Sequence, residues 1–158
     1  MKRLVTYFSA TGITAKVASS LADAIDADIF EIRPSVLYSA ADLDWKDKNS
    51  RSTLEMNDPA SRPQISHIRN NLQDYDVIFV GFPIWWYVAP RIINTFLESY
   101  NFTGKTIVPF ATSGGSGVEK VNESIQGSCP DANLREASLL SADAGLSDLS
   151  AWAETLGL

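Results

Sequence analysis

The 158-residue sequence contains one cysteine, Cys129, and one histidine, His67. A single cysteine excludes an intramolecular disulfide, and with no Cys/His cluster there is no ligand spacing for a metal site. Basic charge is also scarce: 13 Lys and Arg stand against 19 Asp and Glu, a formal charge of -6. Nucleic acid, whose phosphates such a surface repels, is thereby excluded as a partner, whereas an acidic face suits a basic protein. His67 lies in a polar stretch and reads as a surface residue. No apolar run approaches the ~18 residues of a membrane span. The N-terminal run 4–8 is too short for the core of a signal peptide and has no cleavage site, so no membrane insertion and a cytoplasmic location are expected. Repeats, low-complexity tracts and dividing linkers are absent too. At ~100–200 residues per domain, the length and the 45% hydrophobic content are those of one domain over 1–158.

Against these absences stand short apolar runs at 4–8, 77–82 and 106–111, each the length of a strand buried on both faces. Residues 28–32 alternate as an edge strand does, and 134–139 give a weaker fifth candidate. Pro109 interrupts the third run, because proline cannot donate to a central ladder, and it marks a bulge or the strand's end. Between the runs the period becomes helical. Val17, Ala18, Leu21, Ala22 and Ile25 share one face, as do Ile92, Ile93, Phe96, Leu97 and Tyr100 behind Pro90. Shorter stripes fall at Ile65, Ile68 and Leu72, at Val118, Val121 and Ile125, and at Leu149, Trp152, Ala153 and Leu156. Strand and helix alternating in this way imply an α/β fold: a doubly wound parallel sheet with helices on both faces. Residues 34–63 break the rhythm and read as an elaborated connection with one helix around 41–55.

In such a sheet the ligand crevice lies beyond the carboxyl ends of the strands. After the first run comes Ser9-Ala10-Thr11-Gly12-Ile13-Thr14, which aims backbone N–H groups, hydroxyls and a helix N-terminus at one spot. It has neither the Lys of a nucleotide triphosphate loop nor the G-x-G-x-x-G of a dinucleotide site. A phosphomonoester suits it; so does the plainer role of hydroxyls that cap the helix. After the run 77–82 comes Pro83-Ile84-Trp85-Trp86-Tyr87, whose aromatics need either core contact or a flat ligand to stack on. One tryptophan is expected to pack inward and at least one ring to face the ligand. After the run 106–111 comes Thr112-Ser113-Gly114-Gly115-Ser116-Gly117, whose glycines let backbone N–H groups approach a ligand's polar edge.

The loop carrying Ser9, Thr11, Gly12 and Thr14 resembles the phosphate loop of the flavodoxins. Residues 81–86 and 109–117, with 42–45 and Arg62-Pro63, are similar to a bacterial flavodoxin-like subfamily, so the resemblance covers most of the chain. It implies a five-stranded sheet of order 2-1-3-4-5, with flavin mononucleotide (FMN) as cofactor. The phosphate is then held by 9–14 and the isoalloxazine lies between 83–87 and 112–117, with no catalytic acid or base required. Stacking and an acidic surround imply a low potential for the second electron. One departure stands out: Ile84-Trp85-Trp86 has no glycine where some flavodoxins let a peptide flip toward the flavin N5, which favours two-electron chemistry.

Three functions follow. An electron carrier between redox partner proteins fits the acidic charge and small size. An NAD(P)H-dependent reductase acting on a quinone or similar small acceptor fits the elaborated 34–63 segment, where Tyr38 and Trp45 are placed to wall a cavity. A flavin-free binding module is the third. The carrier is the preferred expectation.

Overall fold

In the computed structural model, which describes residues 1–158, the elements run β1 (Arg3–Tyr7), α1 (Ile13–Ile25), β2 (Asp28–Glu31), α2 (Arg51–Asn57), β3 (Val77–Pro83), α3 (Arg91–Glu98), β4 (Thr106–Thr112), α4 (Val121–Ile125), β5 (Asn133–Leu134), β6 (Ser138–Leu139) and α5 (Leu146–Thr155). Every strand pairing is parallel. The order is β2-β1-β3-β4, and β5 and β6 share the fifth position against β4. This is the doubly wound 2-1-3-4-5 sheet that the alternation and the resemblance implied.

Because successive strand side chains point to opposite faces, β3 and β4 feed two cores at once. Ile78, Val80 and Phe82 with Ile107 and Ala111 pack against α3 and α4 through Ile92, Ile93, Phe96, Leu97, Val121 and Ile125. Val77 and Phe79 with Val108 and Phe110 pack against Val17, Ala18, Leu21 and Ala22 of α1 and Leu149 of α5. Gly81 belongs to the second face, and a Cβ there would collide with the Phe110 ring that covers it.

Pro109 neither ends β4 nor bulges it. Ile107 O accepts from Arg135 N–H and Ala111 O from Leu140 N–H, each at 2.9 Å. Odd-numbered residues of β4 therefore aim their backbone groups at the last strand, and the missing N–H of Pro109 faces residues 135–137. There the last strand is broken. Its register advances from Leu134 to Ser138 while β4 advances only from Ile107 to Phe110, so one extra residue is looped out. Asn122 closes the gap: its Nδ2 donates to Arg135 O and its Oδ1 accepts from Ala137 N–H, both at 2.9 Å. The bulge exists, but on the neighbouring strand, and the proline sits where no ladder bond is due.

Two helical expectations are corrected. The helix expected over 41–55 begins only at Arg51. Upstream, Asp42 Oδ2 accepts from Ser39 N–H at 2.9 Å, Asp44 Oδ1 from Lys46 N–H at 3.1 Å and Asp47 Oδ1 from Asn49 N–H at 2.9 Å. Such local bonds offer the backbone turns in place of a helix. Ser50 Oγ then accepts from Thr53 N–H at 3.3 Å and starts α2 as its N-cap. The stripe Ile65, Ile68 and Leu72 is not a helix either. Ser35 N–H bonds Gln64 O and Ser66 N–H bonds Arg33 O, both at 2.8 Å, which holds 64–66 extended against the chain after β2. Ile68 is exposed, and Leu72 is buried in a single tight turn. No helix is long and apolar enough to cross a membrane.

Candidate functional site

Strand order reverses between β1 and β3, and beyond the carboxyl ends of the strands opens a cleft of about 980 Å³. From the predicted loops it is lined by Ala10, Thr11, Ile13 and Thr14, by Pro83, Ile84, Trp85, Trp86 and Tyr87, and by Thr112, Ser113, Gly114 and Ser116. Ser9, Gly12, Gly115 and Gly117 do not line it and act on the loops themselves. A shallower polar depression of about 570 Å³ lies at the opposite edge of the sheet, against Asp76, Lys105 and Thr106.

Gly12, at φ 95°, is the residue before α1, and its N–H donates to Ser9 Oγ at 3.1 Å. A positive φ is available to glycine without strain, and the turn leaves the first N–H groups of α1 facing the cleft end with no partner inside the helix. Thr14 Oγ1 is hydrogen-bonded to Thr112 Oγ1 at 2.8 Å, both residues being buried. One contact thus pins the turn after β1 to the end of β4. Of the hydroxyls in the turn, that of Thr11 is left exposed. In the third loop Gly115 N–H donates to Ser113 Oγ at 3.1 Å, and a Cβ on Gly117 would run into the Glu119 carboxylate. A Cβ on Gly114 or Gly115 would meet no protein atom within 4 Å.

The aromatic segment turns back on itself. Trp85 N–H bonds Val88 O at 3.0 Å and Val88 N–H bonds Trp85 O at 3.1 Å, enclosing a two-residue turn. Trp86 and Tyr87 occupy it with φ of 49° and 69°. Positive φ at both central residues is the type I′ arrangement, which favours Asn-Gly and is strained for bulky side chains. The strain presents Trp86 and Tyr87 to solvent at the cleft, 39% and 60% exposed. Trp85 is the ring that packs inward, edge-on to Phe8 at 5.6 Å and to Tyr38 at 5.4 Å between centroids.

Of Tyr38 and Trp45, both expected to wall a cavity, only Trp45 does. Tyr38 lies behind Trp85: its hydroxyl donates to Glu55 Oε1 at 2.5 Å, and the Arg51 guanidinium, bonded to Glu55 at 3.0 Å, stacks 3.8 Å from its ring. Burial, reinforced by the bond to Glu55, pushes the Tyr38 phenol well above its ordinary pKa and keeps it a neutral donor. Trp45 does reach the cleft, together with Leu43 and Ser52. Residues 139–143, after β6, form a further wall that sequence reasoning missed. The rule placing ligands beyond the carboxyl ends of strands points to them as well, but the broken last strand gave too weak a signal to apply it. Asp143 is the only charged residue in the lining.

Parallel topology, a cleft at the switch point and an aromatic-walled site define a flavodoxin-type domain, and the comparisons agree. The chain belongs to the flavodoxin family, whose model matches residues 2–156. It is similar to the crystal structure of a candidate flavoprotein from Bacteroides eggerthii, 47% identical, with a TM-score of 0.94 over 99% of this chain and 98% of that one. A second, from Bacteroides uniformis, is 48% identical with a TM-score of 0.92 over 97% of both chains. A flavoprotein from Lactobacillus acidophilus crystallised in complex with FMN shares the fold, at 23% identity and a TM-score of 0.73 over 96% of this chain and 98% of that one. No curated protein matches the sequence.

Proposed function

We propose that this chain binds FMN in the cleft and serves as an electron-transfer protein. The observation that carries the reading is the convergence of three unlike surfaces on one space. At one end are the N–H groups of the first turn of α1 with Thr11; the exposed rings of Trp86 and Tyr87 supply a second surface, and the glycine loop a third. The donor set suits the parts of FMN in turn. Neutral N–H and O–H donors hold a phosphate by charge-assisted hydrogen bonds, and aromatic faces stack on a flat ring. The open space beside Gly114 and Gly115 admits the ring's polar edge. FMN supplies the redox chemistry when bound. The protein orients it, excludes water from one face and sets its potential, with no acid or base of its own required.

Membership of the flavodoxin family and the FMN-bound structure of the Lactobacillus flavoprotein support the cofactor. The carrier role is supported by the acidic balance of the chain, a formal charge of -6, which suits a basic protein partner. Electrons then arrive from a protein partner at the exposed edge. An NAD(P)H-dependent reductase has one feature in its favour, the extra wall formed by Leu43 and Trp45.

Titrating apoprotein with FMN while following flavin fluorescence and visible absorbance tests the cofactor: saturable quenching at one FMN per chain is expected, and unquenched flavin sinks the reading. With bound FMN, NAD(P)H should sustain turnover of a quinone only when a separate reductase protein is added. Turnover by the isolated chain turns the assignment to the reductase.

A further inference from the structure

Left-handed backbone at consecutive residues with a Cβ, as at Trp86 and Tyr87, persists only where the surrounding structure over-determines it. Here the support comes from the stem of the turn. Trp85, whose N–H and C=O close the turn with Val88, is fixed by its ring, edge-on to Phe8 and Tyr38. Phe8 directly follows β1 and is buried, so the sheet holds it. Tyr38 lies in the irregular connection after β2 and has no ladder to hold it; α2 does so instead. Glu55 Oε1 accepts from its hydroxyl, and the Arg51 guanidinium stacks on its ring while donating to Glu55 Oε2 at 3.0 Å and to Val36 O at 2.7 Å. This ion pair is sheltered, its side chains 24% and 14% exposed, so water competes for it less than for a surface pair. The other end of the aromatic segment is tied to the same helix: Arg91, which opens α3, donates from Nη2 to Met56 O at 2.8 Å. Residues 85–91 are thus braced by α2 at both ends, although Tyr38, Arg51 and Glu55 do not line the cleft.

We propose that Tyr38, Arg51 and Glu55 are positioning residues for the flavin site: through the Tyr38 ring, α2 fixes Trp85 and so sets where Trp86 and Tyr87 stand. This rests on the FMN reading above and adds to it the element outside the cleft that controls the aromatic wall. The Tyr38 hydroxyl is the joint, because it alone ties the ring that touches Trp85 to the carboxylate on α2.

Two measurements on 5-fluorotryptophan-labelled protein test it: fluorine NMR of the apoprotein, with signals assigned by single Trp→Phe replacements, and FMN titration of the same samples. Tyr38→Phe keeps the ring and removes only the bond to Glu55. It should shift the Trp85 and Trp86 signals, leave that of Trp152 on α5 in place, and weaken FMN about threefold to tenfold. Glu55→Ala should match it, whereas Glu55→Gln, which keeps an acceptor for the phenol, should restore most of the affinity. Arg62→Ala is the control: it frees the same connection from Glu98, to which Arg62 Nε donates at 3.0 Å, without touching Tyr38, and should leave FMN affinity unchanged. A stationary Trp85 signal in Tyr38→Phe overturns the inference. So does unchanged FMN affinity in that variant, Glu55→Gln no better than Glu55→Ala, or an equal loss in Arg62→Ala. Any of these with a wild type that binds FMN removes this inference alone, whereas a wild type that binds no FMN removes the cofactor reading and this inference together.

Discussion

Trp86 and Tyr87 hold φ of 49° and 69° in a turn whose geometry suits Asn-Gly. Left-handed backbone costs a residue with a Cβ roughly 1–2 kcal/mol. Tyr87, 60% exposed, recovers little of that by burial, whereas Trp86, 39% exposed, recovers part of it. The strain kept at Tyr87 points to what the turn does at the cleft. Exchanging the pair, Trp86→Asn with Tyr87→Gly, should therefore move stability and binding in opposite directions. Urea unfolding of the apoprotein is expected to show a gain of about 1–2 kcal/mol, while FMN affinity falls about tenfold as stacking is lost. A variant both less stable and unchanged in FMN affinity would show that the rings serve packing alone. The sequence showed that three aromatics needed an explanation, but not which of them faced inward. That choice is made by Phe8 and Tyr38, which come from distant segments and meet only Trp85.

Among the elements, those with a doubly buried or strongly amphipathic pattern were legible from apolar spacing: β1, β3, β4, α1 and α3 all lie where that spacing put them. Local side-chain chemistry decided the rest. Aspartates that bond nearby N–H groups delayed α2 to Arg51, and an extended pairing with the segment after β2 took Ile65 out of any helix. Pro109 was read as a defect of its own strand, although its effect falls on the partner, where β5 and β6 part and Asn122 supplies the backbone's missing bonds. Removing that amide leaves a part-buried N–H and C=O unpaired. Asn122→Ala should cost about 1–3 kcal/mol in denaturant unfolding, with hydrogen exchange accelerated at the Ala137 amide. Asn122→Asp keeps the acceptor for that amide and loses the donor to Arg135 O, so it should fall between. Unchanged exchange at Ala137 in the alanine variant would mean that the bulge is held by the ladder alone.

At the scale of the molecule, the three sequence-predicted loops do share one cleft, because strands that are neighbours in space end together whatever their distance along the chain. The wall from 139–143 was not foreseen, since it follows a strand of two residues, whereas the 34–63 connection was expected to wall a cavity and does so through Leu43, Trp45 and Ser52, though not through Tyr38. The composition bears on that cleft in a way a local view misses. FMN brings a phosphate monoester, close to doubly charged above pH ~7, to a protein of formal charge -6 whose cleft holds no Lys or Arg. Short-range N–H and O–H donors must then overcome a long-range repulsion. Salt screens the second and leaves the first largely intact, the screening length falling from roughly 30 Å at 0.01 M to 8 Å at 0.15 M. FMN affinity at pH 8 should accordingly hold steady or tighten as salt rises over that range, the reverse of a phosphate site built on cations. Riboflavin, which lacks the phosphate, should show no such trend, and the difference between the two titrations isolates the phosphate's share. FMN binding that weakens steeply with salt while riboflavin stays flat would mean that a flexible cation such as Lys16 or Lys120 closes on the phosphate, and that the turn's own donors do not hold it unaided.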